Sequence, residues 1–279
     1  MPTVLVTGAS RGIGRTTAVR LAQAGWDVIG TVRSAADGEA LESAGNGRIS
    51  ALTLDVTDAA QIAALDASLP QQLDAVVNNA GIVVGGPVEG LPVDELRRQF
   101  EVNVFGQVAV TQAVLPRLRA SKGRIVFVSS VSGRISTPMT GAYNASKFAL
   151  EALGDALRLE VKPWGIKVSL IEPAQTDTDL WRLAEAAFDD SFATLADDQR
   201  DLYAKHMKGF RKTIPISQKL ASPADGVAKS IEHALTAKRP RARYVIGAAP
   251  KAQAFLMNLT PSVIGDPILS RLTGVPRRA

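Results

Sequence analysis

Short apolar runs alternate along this chain with stretches whose apolar residues recur every three to four positions, the pattern of strands and amphipathic helices taken in turn. Thr3–Thr7 is a first strand, and a helical pattern follows through Ala22. Asp27–Arg33, Ile49–Leu54, Leu73–Asn78, Arg124–Ser129, Ile166–Ile171 and Arg243–Gly247 supply six further strands. Helices are expected from Thr57, over Pro92–Leu118, from near Ala142 to about Val161, and over Pro223–Ala237. Such alternation predicts an α/β fold on a parallel sheet. In the long helix Asp94, Glu95 and the arginines lie outside, with Phe100, Val104, Val108 and Leu115 at core spacing. Asn103 falls among the apolar positions. A buried amide must find hydrogen-bond partners, so Asn103 is either a structural tie or part of a polar relay.

Two segments break the alternation. About 179–221 carries Trp181, Phe188, Phe192, Tyr203, His206 and Phe210 among many charges. It reads as one or two helices, either a substrate lid at the strand ends or surface helices packed on the core. The tail, about 248–279, mixes Phe255, Leu256, Met257, Ile264, Ile268, Leu269 and Leu272 with prolines and basic ends. It caps the pocket or pairs subunits in preference to touching a membrane. The whole of 1–279 is read as one domain with these two additions.

Composition narrows the classes. Hydrophobic residues make up 46% of the chain, enough for a sizeable core, and cysteine is absent, which excludes disulfides and thiolate chemistry. Met1 leads straight into a strand, and no apolar run approaches the ~20 residues of a membrane span, so a cytoplasmic protein without a transmembrane segment is expected. The net charge of +5 raises the question of nucleic acid. The basic residues, however, are scattered or paired with acids and lack interleaved aromatics, so no nucleic-acid partner is expected. His206 and His233 are the only histidines and stand far apart, so no metal site is expected.

The candidate chemistry lies at the strand ends. Gly8-Ala-Ser-Arg-Gly-Ile-Gly14 joins the first strand to the first helix, where glycines admit close backbone approach and free N–H groups suit a pyrophosphate. The second strand ends in Arg33 with no acid at its tip, and Arg11 sits in the glycine loop. Two guanidiniums suit a 2′-phosphate and favour NADP(H) over NAD(H). Asp55, beside Val56, is either the N-cap of the next turn or a partner of the adenine amino group. Asn78-Asn-Ala-Gly81 forms a turn that lets backbone approach a ribose. Tyr143 and Lys147, four apart on one helix, share a face. An ammonium near a phenol lowers its pKa towards the range useful for acid–base work, and Ser130 at a strand end can hold a substrate oxygen.

Taken together, Thr7–Gly14, Asp55, Asn78–Gly81, Asn103, Ser130, Tyr143 and Lys147 resemble the motifs of a classical short-chain dehydrogenase/reductase. The resemblance spans about residues 2–247. It implies a single-domain Rossmann fold with a doubly wound seven-stranded parallel sheet, order 3-2-1-4-5-6-7, and usually a homodimer or homotetramer. It implies that Tyr143 exchanges the proton and that Ser130, thirteen residues earlier, anchors the substrate oxygen. Lys147 then holds the nicotinamide ribose and lowers the Tyr143 pKa, and Asn103 supports a relay. The implied cofactor residues are Gly8, Ser10, Arg11, Gly12, Ile13, Gly14, Arg33, Asp55, Val56, Asn79, Ala80, Gly81, Tyr143, Lys147, Pro173 and Thr178. One departure stands out: Pro173 is followed by Ala174 where the family usually has glycine, and a methyl group is strained wherever φ must be positive. The Arg33 strand end, Ile171–Pro173 and Arg241–Val245 are similar to the hydroxysteroid and retinol dehydrogenase branch. The implied reaction interconverts a secondary alcohol and a ketone or aldehyde on a small-molecule substrate, steroid-like or retinoid-like. The rivals are a dinucleotide-sensing regulator without catalysis and an epimerase or dehydratase.

Overall fold

A computed structural model describes residues 1–177, 188–219 and 221–276. Seven parallel strands form the sheet: β1 Thr3–Val6, β2 Asp27–Val32, β3 Ile49–Thr53, β4 Ala75–Asn78, β5 Arg124–Val128, β6 Lys167–Glu172 and β7 Arg243–Val245. Their order is β3-β2-β1-β4-β5-β6-β7, as expected. The strands are continuous apolar runs because both faces of the sheet are covered. Successive side chains point to opposite faces. Val4 and Val6 therefore join one core with Ala18 and Leu21 of α1 (Gly12–Gln23), while Leu5 joins the other. The order reverses beside β1, whose neighbours are β2 and β4, and there the strand carboxyl ends open a crevice.

Helix α2 (Ala35–Ser43) and two short helices, α3 (Ala59–Ala63) and α4 (Leu65–Ser68), complete the first half. The long helix expected over 92–118 is a composite: α5 (Val93–Phe100), a widened π turn over Glu101–Gly106, and α6 (Gln107–Ser121). The expected core positions need correcting. Val104 is buried and the half-buried Leu115 packs on the core, as expected, but Phe100 and Val108 are half-buried and belong to neither core cluster of the sheet. The inward line is instead Gln99, Asn103, Gln107, Val110, Thr111, Val114 and Leu118. A uniform period of 3.6 residues misplaces the face once a π turn shifts its phase.

Helix α7 (Gly141–Glu160) carries the Tyr143 segment. The second half adds α8 (Asp197–Lys219), α9 (Ala224–Thr236), α10 (Ala248–Leu259) and α11 (Ser262–Leu272). A two-residue parallel ladder, Thr176–Asp177 with Ser222–Pro223, ties the exit of β6 to the start of α9. No helix among the described residues is long and apolar enough to cross a membrane.

Candidate active site

The glycine loop is shaped by φ values of +64° at Gly8 and +55° at Gly12, which side chains rarely adopt. A Cβ on Gly14 would stand 2.2 Å from the Gly8 carbonyl oxygen and 2.5 Å from Asn79 Nδ2. A Cβ on Gly8 would lie 3.0 Å from the Ala80 Cα, so the loop and the turn after β4 pack backbone against backbone there. They are also cross-tied: the backbone N–H groups of Asn79 and Ala80 both donate to Thr7 Oγ1, at 2.9 and 3.0 Å. Asn79 Nδ2 donates to the carbonyl oxygens of Thr7 and Gly8. Arg11 is the N-cap of α1 and gives it no side-chain cap, so the first-turn N–H groups at Gly12, Ile13 and Gly14 are left without one.

Arg11 and Arg33 are both exposed, at the ends of this loop and of β2. Asp55 is half-buried and accepts from the Thr57 N–H (2.9 Å) and hydroxyl (2.7 Å). Those bonds, aided by the field of Arg33, hold its carboxyl below the usual range. The N-cap of α3 is Asp58, not Asp55, accepting from the Ala60 and Gln61 N–H groups. Val56 is buried, its carbonyl oxygen 2.5 Å from where a Cβ on Gly106 would lie. Thr178 lies outside the described residues. Ala174 resolves without strain: among the described non-glycine residues, positive φ occurs only at Asn46, Lys122 and Met139.

Ser130, Tyr143 and Lys147 come together at the end of β5. Ser130 Oγ accepts from the Ser132 N–H at 3.1 Å and donates to the Pro173 carbonyl oxygen at 3.3 Å. Tyr143 and Lys147 are buried. Lys147 Nζ lies 5.6 Å from the centre of the Tyr143 ring and donates to the Val128 carbonyl oxygen at 2.8 Å. The expectation that Lys147 draws the Tyr143 pKa down is corrected here. Burial pushes the phenol up, opposed by the neighbouring Ser130 hydroxyl. Lys147 itself is lowered to about 8 by burial, against the opposing charge of Glu151 one turn further along.

Asn103 uses its side chain as a tie. Its Oδ1 accepts from the Ile82 N–H at 2.8 Å, and its Nδ2 donates to the Ile82 carbonyl (3.0 Å) and to Ser146 Oγ (3.2 Å). Ser146 in turn donates to the Tyr143 carbonyl oxygen. Asn103 is one member of a set that the sequence reading missed. Gln99 accepts from the Val84 N–H at 2.6 Å and donates to the Ile82 carbonyl. Gln107 donates to the Ala80 carbonyl, and Thr111 accepts from Asn78 Nδ2. Four buried polar side chains, four residues apart, thus grip the segment from Asn78 to Val84. The available signal was that spacing of 99, 103, 107 and 111.

Over Tyr143 lies a group of which the sequence reading had only the aromatic members Phe188, Phe192 and Phe210, and had missed Val83, Met139 and Met207. Val83, Met139, Phe188 and Met207 form an apolar cluster with Tyr143, backed by Phe192 and Phe210. Met139 holds a φ of +67°, and its carbonyl oxygen accepts from the Gly86 N–H. A Cβ on Gly85 would stand 2.1 Å from the Phe188 ring, so only glycine leaves room for it. Behind the site, the fully buried Glu172 side chain meets Arg134 (2.5 Å) and Arg243 (3.2 Å), and Arg243 also meets Glu151 (3.0 Å). Among the described residues no group of three or more His, Cys, Asp or Glu is placed to hold a metal ion.

A doubly wound sheet with a glycine turn at its switch point, and Ser, Tyr and Lys buried beside it, defines a dinucleotide-binding α/β protein. The family model for short chain dehydrogenases matches residues 2–187, and the chain belongs to that family of NAD(P)-binding oxidoreductases. It is 35% identical to the NADPH-dependent 3-dehydrocapnine reductase of Ornithobacterium rhinotracheale, over 95% of this chain and 94% of that one. It is 32% identical to human retinol dehydrogenase 5, over 99% of this chain and 90% of the other. The crystal structure of a short-chain dehydrogenase from Streptomyces avermitilis superimposes with a TM-score of 0.78 at 31% identity, covering 98% of this chain and 94% of the other.

Proposed function

We propose that the protein is an NADP(H)-dependent oxidoreductase that interconverts a secondary alcohol and a ketone or aldehyde on a lipophilic small molecule. The observation that carries this reading is the burial of Ser130, Tyr143 and Lys147 together beneath an apolar cluster of which Tyr143 is itself a member. Such apolar surroundings suit an apolar substrate whose single oxygen is met by hydroxyls. When bound, the nicotinamide would supply or accept the hydride.

The chain's own residues do the rest. Backbone N–H groups over Gly8, Ser10 and Gly12–Gly14 would hold the pyrophosphate, and Asn79, Ala80 and Gly81 would offer backbone to a ribose. Arg11 and Arg33 would take the 2′-phosphate, with Asp55 and Val56 at the adenine side and Pro173 and Thr178 at the nicotinamide. Ser130 would hold the substrate oxygen, Tyr143 would exchange its proton, and Lys147 would place a positive charge beside that phenol. Asn103 is a positioning residue, acting through Ile82 and Ser146. A nucleotide sensor has no use for Ser130, Tyr143 and Lys147 kept together and buried, and this weighs against the regulatory alternative. A homodimer or homotetramer in the cytoplasm is the proposed setting, with exposed Phe105 and Phe148 as apolar surface for pairing.

The test is NADPH consumption against a panel of ketones, aldehydes, steroids and retinoids, run beside NADH and a Tyr143→Phe variant. Turnover by the wild type and its loss in a variant that still binds NADPH is the expected result. Tight NADPH binding with no turnover of any panel member would overturn the reading in favour of the sensor. Turnover without net cofactor consumption would point to an epimerase or dehydratase.

A further inference from the structure

The apolar cluster over Tyr143 has an outer side. Met207 and Phe192, which close it, also line a surface groove whose other walls are Ala204, Lys208, Arg211 and Lys212. Lys208, Arg211 and Lys212 lie along one face of α8, three to four residues apart. Arg211 is compensated by Asp189 at 2.6 Å. Lys208 and Lys212 are exposed and meet no carboxylate among the described residues. The groove therefore has an apolar floor continuous with the catalytic cluster and two unpaired ammonium groups at its rim. Their position is firmly set. A Cβ on Gly209 would fall 1.9 Å from the Gly274 carbonyl oxygen, so α8 is docked backbone to backbone on the segment after α11.

A neutral substrate such as a sterol or retinoid fills the floor and leaves both lysines unused. A ligand with an aliphatic body and an anionic end uses all of it. Resting on the oxidoreductase reading above, we infer that the substrate is an anionic amphiphile: an apolar chain carrying the reactive ketone or alcohol to Tyr143, with a terminal carboxylate, phosphate or sulfonate held by Lys208 and Lys212. The chain passes between Met207 and Phe192. An unbranched thioether is the side chain most able to move aside for it.

The experiment compares a long-chain keto acid with its own methyl ester, using NADPH-loaded enzyme, wild type against a Lys208→Gln/Lys212→Gln double variant. Charge-assisted hydrogen bonds predict kcat/KM for the acid about tenfold or more above the ester, with the difference in KM. In the double variant the acid-to-ester ratio falls to near one. Equal kcat/KM for acid and ester in the wild type, or a preference that survives in the double variant, overturns the inference and leaves the oxidoreductase reading standing. Calorimetric titration with a saturated fatty acid separates the two further. Binding that the double variant loses, with no ketone turned over, keeps the anion site and sinks the catalytic reading. A phosphate-ended and a sulfonate-ended chain in the same titration distinguish the source of the anion.

Discussion

Lys147 donates to the carbonyl oxygen of Val128 at 2.8 Å, so this buried ammonium is anchored to the end of β5 and not to the phenol beside it. One backbone bond is a small return for burying a charge. Its pKa of about 8 lies below the 10.5 of an unfolded lysine. Below about pH 8 the residue is charged in both states and the full burial cost opposes folding. Between pH 8 and 10.5 the unfolded chain binds more protons, so stability rises with pH. Urea unfolding without added nucleotide is expected to show Lys147 relieving about 2 kcal/mol of destabilisation between pH 7.5 and 9.5. Lys147→Met removes that increment; an identical pH dependence in the variant would refute the assignment.

Gln99→Leu removes the acceptor of the Val84 N–H while the Ile82 carbonyl keeps its bond from Asn103. One buried donor is left unpaired, at a cost of about 1–3 kcal/mol. Urea unfolding should register that loss, and a raised KM with little change in kcat should accompany it. A neutral substitution would mean that Gln99 does not hold the loop.

Arg33→Asp replaces the exposed cation at the end of β2, beside Asp55, with an acid suited to a free ribose hydroxyl. The ratio of kcat/KM for NADPH to that for NADH should fall by about tenfold or more. An unchanged ratio removes Arg33 from the cofactor site.

Two glycines should respond in opposite senses. Gly14→Ala drives a methyl into the Gly8 carbonyl and Asn79, so NADPH affinity measured by fluorescence titration should collapse. Gly226→Ala, in α9 with nothing within 4 Å of its new methyl, should raise the melting temperature, gaining up to about 1 kcal/mol of helix propensity.

What was legible in the chain and what was not divides along physical lines. A parallel α/β sheet followed from the alternating runs, and its strand order from the resemblance to the short-chain dehydrogenase/reductase motifs. Tyr143 and Lys147 were placed on one face by their spacing alone. The direction of the Tyr143 shift was not legible, because it depends on how deeply tertiary packing buries the phenol. The inward face of the long helix was misplaced because a local π turn leaves no mark in a 3.6-residue pattern. Gln99, Gln107 and Thr111 were passed over because polar residues at helical spacing look like a wet surface until a backbone is found opposite them. The cluster over Tyr143 draws Val83, Met139, Phe188 and Met207 from four distant places in the chain, and no local pattern joins them.

Apart from the Asn78–Thr111 bond, the grip of the α5–π turn–α6 unit on the segment from Asn78 to Val84 runs through carbonyl oxygens and N–H groups at Ala80, Ile82 and Val84, not through the segment's side chains. The shape of that wall is thus independent of the residues that decorate it. Val83, which packs with Tyr143 from the wall, takes no part in these bonds, so truncating it leaves the frame's hydrogen bonds in place. Substrate choice and scaffold integrity are written in separate parts of the same seven residues, and a new specificity can be reached there by single substitutions.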